Sequence, residues 1–279
     1  MFSNKYFKIT TLYLAMTAFL TASLVSCSDD DGPVLLPNLP ATGGKNVRSI
    51  QHLGDFTTSY DWNLEYSGKR LTYATGTLRD KGFNEHNSKS YSSKIKYGNH
   101  YVGVSNSDKQ PVQITLNSSG LIEHMTIGED SYNFSYTDER LTAWHKTLYS
   151  QSMGQLEKFE YYARIKYDEG NLKSIVVTGP NEVPVTTTFV SSDKENKNGL
   201  LPEAVGNAMG CFGFEHLYYA GLLGRPTRNL VKKITVDNPK DSSQCYTIEY
   251  NYSTSGNNTT LCNYNNLTTG KTASVNYTY

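Results

Sequence analysis

The chain has 279 residues, 26 basic and 26 acidic side chains for a formal charge of zero, and 37% hydrophobic content. That balance offers no electrostatic hold on nucleic acid, and a chain of this size and hydrophobicity fills one large core or two small ones. Twenty-two tyrosines against two tryptophans favour half-buried pleated surface and point to many strands rather than to one site.

Residues 1–26 open with Lys5 and Lys8, continue through an apolar stretch from Leu12 to Leu20 and end in small residues, the pattern of a secretory signal. The apolar stretch is too short to span a bilayer comfortably. Ser23-Leu24-Val25-Ser26-Cys27 resembles the lipobox of bacterial lipoproteins. The resemblance implies that the Cys27 thiol is diacylated and that Cys27 becomes the N-terminus, making the membrane a partner through an acyl anchor. Ser28, Asp29, Asp30 and Asp31 look like the acidic export signal of Bacteroidetes lipoproteins, which implies display on the outer face of the outer membrane. The plainer alternative is a solvated acidic linker. Residues 27–46, with Pro33, Pro37, Pro40 and Gly43-Gly44, then form a tether. Loss of the leader takes Lys5 and Lys8 away and leaves 24 basic against 26 acidic groups.

From residue 47 to residue 279 a single domain is expected. Alternating apolar and polar residues lead to an apolar anchor, four polar residues and a leucine. The pattern appears in Tyr66-SGKR-Leu71, Leu116-NSSG-Leu121, Tyr136-TDER-Leu141 and Tyr167-DEGN-Leu172. Loops rich in Gly, Asp, Asn and Ser between alternating runs are hairpin connections. The fold class is therefore mainly β, a long up-and-down antiparallel meander curled into an open or closed barrel-like sheet. The irregular spacing of the hairpins excludes a solenoid or propeller. Three cysteines follow the leader, and an odd count permits at most one bridge. Cys245 and Cys262 flank a hairpin and are the pair that would form it, with free thiols as the alternative.

One stretch breaks the alternation. Residues 202–224 lie in a long apolar run, with Pro202 suited to a first helical position, Glu203 suited to the positive end of the dipole, and Gly224-Arg225-Pro226 as a stop. The spacing predicts one buried helix wrapped by the sheet, with Gly206, Gly210, Gly213, Gly221 and Gly224 on one stripe. Each interior glycine costs a helix about 1 kcal/mol, so the stripe implies close approach of another backbone.

Sites of chemistry are sparse. The six histidines are scattered, and no HExxH, paired CxxC, GxSxG or phosphate-binding glycine loop occurs. Asp138-Glu139 and Asp168-Glu169 sit at predicted hairpin tips, where turn solvation explains them better than glycosidase chemistry. Glu215 and His216 interrupt the apolar run and are the candidate polar site; a hydrogen bond to a neighbouring strand is the plainer reading. No catalytic residue, cofactor or metal ligand is expected.

Taken together, the lipobox, the acidic tether, the tyrosine-turn-leucine hairpins and the block FGFEHLYYAGLLGRPTRNLVKKI resemble a family of Bacteroides lipoproteins. That family has a porin-like, curled antiparallel sheet and no assigned activity, so the resemblance implies a fold and an anchor and transfers no site residues. The expectation is an outer-membrane-anchored lipoprotein with a non-catalytic binding or structural role towards a glycan or protein. The alternatives are a carrier of a lipid or other apolar ligand in the curled sheet, an enzyme with an unfamiliar site, and a membrane-spanning barrel.

Overall fold

A computed structural model describes residues 44–54, 59–79, 89–107, 110–152, 155–180 and 183–279. Cys27, Ser28, Asp29, Asp30 and Asp31 lie outside them. The first strands are β1 (Ser49–Leu53), β2 (Ser59–Ser67), β3 (Arg70–Arg79), β4 (Lys89–Tyr97), β5 (Tyr101–Asn106) and β6 (Val112–Leu116). Next come β7 (Ile122–Ile127), β8 (Asp130–Thr137), β9 (Arg140–Ser152), β10 (Gln155–Asp168), β11 (Asn171–Thr178) and β12 (Pro184–Glu195). The chain ends with β13 (Asn229–Asp237), β14 (Tyr246–Ser255), β15 (Asn258–Asn266) and β16 (Thr272–Thr278). Consecutive strands pair antiparallel throughout, and β1 pairs with β16, so sixteen strands close a barrel.

Alternation decides which way each side chain points. In β8, Tyr132 and Phe134 are buried while Asn133 and Ser135 are exposed. Trp62 and Leu64 of β2, Tyr91 and Ile95 of β4, and Ile248 and Tyr250 of β14 also belong to the core. Their neighbours Asn63, Glu65, Lys94, Lys96, Glu249 and Asn251 are exposed. The barrel is apolar inside and polar outside.

The recurring hairpin is tighter than a four-residue loop. Strands run on to two-residue turns, and Asp138 and Glu139 (φ 50° and 59°), like Glu169 and Gly170 (φ 48° and 82°), are both left-handed. Two successive positive φ values match the right-handed twist of the flanking strands. The two anchors face each other, as Tyr66↔Leu71, Tyr136↔Leu141 and Tyr167↔Leu172, and the register shifts immediately before each tyrosine. The residue after the leucine is the extra one of a β-bulge. Where that residue is threonine its hydroxyl donates across the bulge, Thr72 to the Glu65 carbonyl and Thr142 to that of Ser135, both at 3.2 Å. Leu116 departs from the pattern and pairs with Ile122 rather than Leu121.

Between β12 and β13 the chain leaves the wall and fills the lumen. Leu200, Leu201, Val205, Met209, Phe214, Leu217 and Leu222 are buried there, within one core that includes Trp62, Leu141 and Trp144 of the wall. The buried apolar segment is as expected, but the long helix is not. Only α1 (Glu215–Tyr219) is helical. Ala204, Gly210, Phe212, Gly213, Gly221 and Gly224 have φ of 65°, 78°, 49°, 81°, 76° and 86°, which a right-handed helix excludes. The plug is instead a chain of tight turns, with Gly210 N bonded to Asn207 O (3.0 Å), Phe214 N to Cys211 O (2.8 Å) and Gly221 N to Tyr218 O (2.9 Å).

The glycines therefore do not form a helical stripe. A Cβ on Gly210 would lie 3.1 Å from the Phe134 ring and 3.2 Å from that of Trp144, and one on Gly206 would lie 3.1 Å from Glu215 Oε1. The only close backbone among these three sites is at Gly224, where a Cβ would collide with the Glu139 carbonyl.

Cys211, Cys245 and Cys262 are free thiols. Cys262 lies opposite Tyr252, and Cys245 is seven residues further along that strand, roughly 23 Å at about 3.3 Å per residue. A bridge between them needs Cα atoms within about 7 Å.

Candidate functional site

A plug made of turns leaves carbonyls without helical partners, and inward-facing wall side chains supply donors. Tyr91 OH donates to Gly213 O (2.6 Å), Tyr250 OH to Glu203 O (2.7 Å), Trp144 Nε1 to Ala208 O (2.8 Å) and Tyr66 OH to Tyr219 O (3.4 Å). Part of the tyrosine excess is thus a set of hydrogen-bond donors with apolar bodies.

One charged network fastens the plug. His52 of β1 places Nε2 at 2.9 Å from Glu203 Oε2 and Nδ1 at 3.2 Å from Asp61 Oδ1 of β2. Tyr277 OH adds a bond to Glu203 Oε1 at 3.3 Å. Burial pulls the His52 pKa down, but the Glu203 charge and the two carboxylate hydrogen bonds outweigh it and raise it to about 9. The imidazole is thus a cation at neutral pH and cannot act as a general base there. Glu203, placed by the sequence at a helix start, is the plug's ionic latch.

Glu215 and His216 sit in α1. His216 is fully buried, with its ring centroid 4.7 Å from that of Trp62 and 5.8 Å from that of Phe214. Glu215 lies over Gly206. The structure brings these two together with Gly206 as core packing; Gly221 and Gly224 border a cavity of about 40 Å³ beside Tyr66 and Tyr219.

Burial pushes the Cys211 and Cys262 thiols well above their ordinary range, and Glu215 and Glu203 respectively push the same way. Neither is an activated nucleophile. Among the described residues no group of three His, Cys, Asp or Glu is placed to hold a metal ion. In the lumen, Lys146 stands 4.9 Å over the Phe212 ring and 5.7 and 5.6 Å over those of Tyr132 and Tyr161. Burial lowers its pKa, with Asp130 opposing.

A further concavity is on the outer wall, a groove of about 790 Å³ whose lining includes Lys232, Glu249, Asn251, Asn263, Asn265 and Ser274. The register pairs of β13 and β14 run from Val236↔Tyr246 to Lys233↔Glu249 and stop, so beyond Glu249 the two strands part where the groove lies. Sequence reasoning missed the latch and the groove. Their members are brought together by barrel closure, His52 and Glu203 across 151 residues, and no local motif marks them.

No protein-family model matches the sequence, and no curated protein does. Among solved structures, a porin-like protein from Bacteroides uniformis is similar at a TM-score of 0.62 and 17% identity, covering 84% of this chain and 98% of that one. A porin-like protein from Bacteroides vulgatus is similar at a TM-score of 0.47 and 14% identity, covering 84% and 98% respectively. The first of these likenesses shows a shared porin-like fold.

Proposed function

We propose that the protein is an outer-membrane lipoprotein, anchored through acylated Cys27 and displayed at the cell surface, whose barrel stands in water as a non-catalytic binding or structural unit for a glycan or protein. The observation that carries this reading is the polarity of the wall. Outward positions hold Glu65, Lys94, Lys96, Glu123, Arg164, Lys166, Lys232 and Glu249, all exposed and spread over β2, β4, β7, β10, β13 and β14. A lipid-spanning barrel carries an apolar band there, and each Lys or Arg at mid-membrane costs about 2–4 kcal/mol. The filled lumen speaks equally against a conducting pore. It also disfavours the carrier, because the cavity beside the plug, at about 40 Å³, is far below the ~300–1,000 Å³ of a typical ligand site.

The tether fits this picture. Gly44 N bonds to Lys197 O and Arg48 N to Thr278 O, so the chain enters at the barrel end where the plug begins and the last strand finishes. In cells fed a labelled fatty acid, Cys27→Ala should abolish labelling. Replacing Asp29, Asp30 and Asp31 by alanine should preserve labelling but shield the protein from protease added to whole cells. Labelling that persists in Cys27→Ala would refute the anchor, and unchanged surface cleavage of the triple variant would reduce the acidic run to a spacer.

A further inference from the structure

We infer that the outer-wall groove along β14, β15 and β16 binds a neutral polysaccharide, an inference that rests on the surface-binding role proposed above. The register sets two polar rows side by side. One runs Glu249, Asn265, Thr272, and the other Asn251, Asn263, Ser274 and then Leu53. Neighbours within a row are about 4.8 Å apart and the rows lie about 7 Å apart, the scale of a sugar ring and its hydroxyls. Each asparagine amide offers two donors and an acceptor, a match for adjacent hydroxyls that donate and accept in turn.

Charge and apolar content narrow the ligand class. Lys232 and Glu249 offset each other, so an anionic polymer gains nothing. A protein partner would want a buried aromatic or aliphatic anchor, yet Leu53 is the one large exposed hydrophobic in the lining, at 41%. The Tyr250 and Tyr264 rings belong to the core, 6% and 3% exposed, and give no stacking platform. Recognition then depends on many weak hydrogen bonds along an extended chain, and a polymer should bind where its monosaccharide does not.

Affinity electrophoresis of the full chain in non-ionic detergent provides the test, with gels containing galactomannan, xyloglucan, mannan or dextran, and polygalacturonate and dextran sulfate as charged counterparts. At least one neutral polymer should retard the protein. The double variant N251A/N263A, altered only at exposed positions, should bind about tenfold more weakly while melting like the parent. Retardation by the charged polymers alone, by no polymer, or equally in parent and double variant overturns the inference. Surface display measured on the same cells is independent of this result, so a failed groove and a failed anchor remain distinguishable.

Discussion

Wall and plug are built under opposite rules. In the wall, polarity alternates, turns carry residues that tolerate positive φ, and a bulge with a bonding threonine recurs next to the hairpin anchors. These independent signals agree, and together they leave one register. In the plug nearly every residue is apolar, so polarity cannot separate a buried helix from a buried series of turns, and the backbone decides. Glycine is the difference. Five glycines in a helix would forfeit about 1 kcal/mol each, whereas four of them, Gly210, Gly213, Gly221 and Gly224, stand at φ of 76–86° and allow turns that β-carbons obstruct. The cost of the turn solution is a set of unpartnered carbonyls, which Tyr66, Tyr91, Trp144 and Tyr250 answer from the wall. Plug and wall are thus joined by hydrogen bonds as well as by packing.

The largest effect should come from filling a plug turn. Gly210→Leu places a side chain at φ 78° against Phe134 and Trp144. Strain of about 1–2 kcal/mol and overpacking of about 1–3 kcal/mol add to a loss of roughly 2–5 kcal/mol, read as a lowered melting temperature. A variant as stable as its parent would return Gly210 to a helix or to open space.

How much of this was legible follows from the same contrast. The strands, the antiparallel order, the hairpins and the buried character of the plug could all be read from period and turn chemistry, because each is set within a few residues. The expected helix is replaced by turns because the boundary signals of Pro202, Glu203 and Gly224 serve a compact loop equally well. Glu203 suits a dipole partner by its place in the sequence, yet it is the counter-ion of His52. That pairing depends on where two distant segments meet once the barrel closes, which no window of sequence contains. The same limit applies to the groove, where Asn251, Asn263 and Asn265 are neighbours only through register. Cys245 and Cys262 flank a hairpin in sequence, but the length of β14 separates them in space.

A second effect sharpens the latch. His52 has a folded pKa of about 9 against about 6.5 unfolded. Its contribution is therefore complete below about pH 6.5 and is lost as pH rises through 9. The difference corresponds to on the order of 3 kcal/mol. His52→Gln should lower stability by about 2–3 kcal/mol at pH 7 and flatten the decline in melting temperature between pH 7 and 10; an unchanged alkaline slope would remove His52 as its source. The smallest effect belongs to the wall. Thr142→Val deletes the hydroxyl that bonds the Ser135 carbonyl in a bulge the register imposes anyway, and should cost only about 0.5–1 kcal/mol in a urea midpoint. A loss comparable to that of Gly210→Leu would mean that the bulge threonines hold the barrel in register.

We propose that this barrel is held at the membrane by its N-terminus and not by its wall. Alkaline carbonate extraction of membranes from cells producing a variant in which residues 1–27 are replaced by a cleavable, non-acylated secretory leader tests it most directly. With the acyl chain gone and a wall of exposed Lys, Arg, Glu and Asn, the variant should be released into the soluble fraction as a folded protein, while the parent stays with the membrane. A leader-free, unacylated protein that remains in the carbonate-resistant membrane, folded, would contradict the account and mean that the barrel itself crosses the lipid.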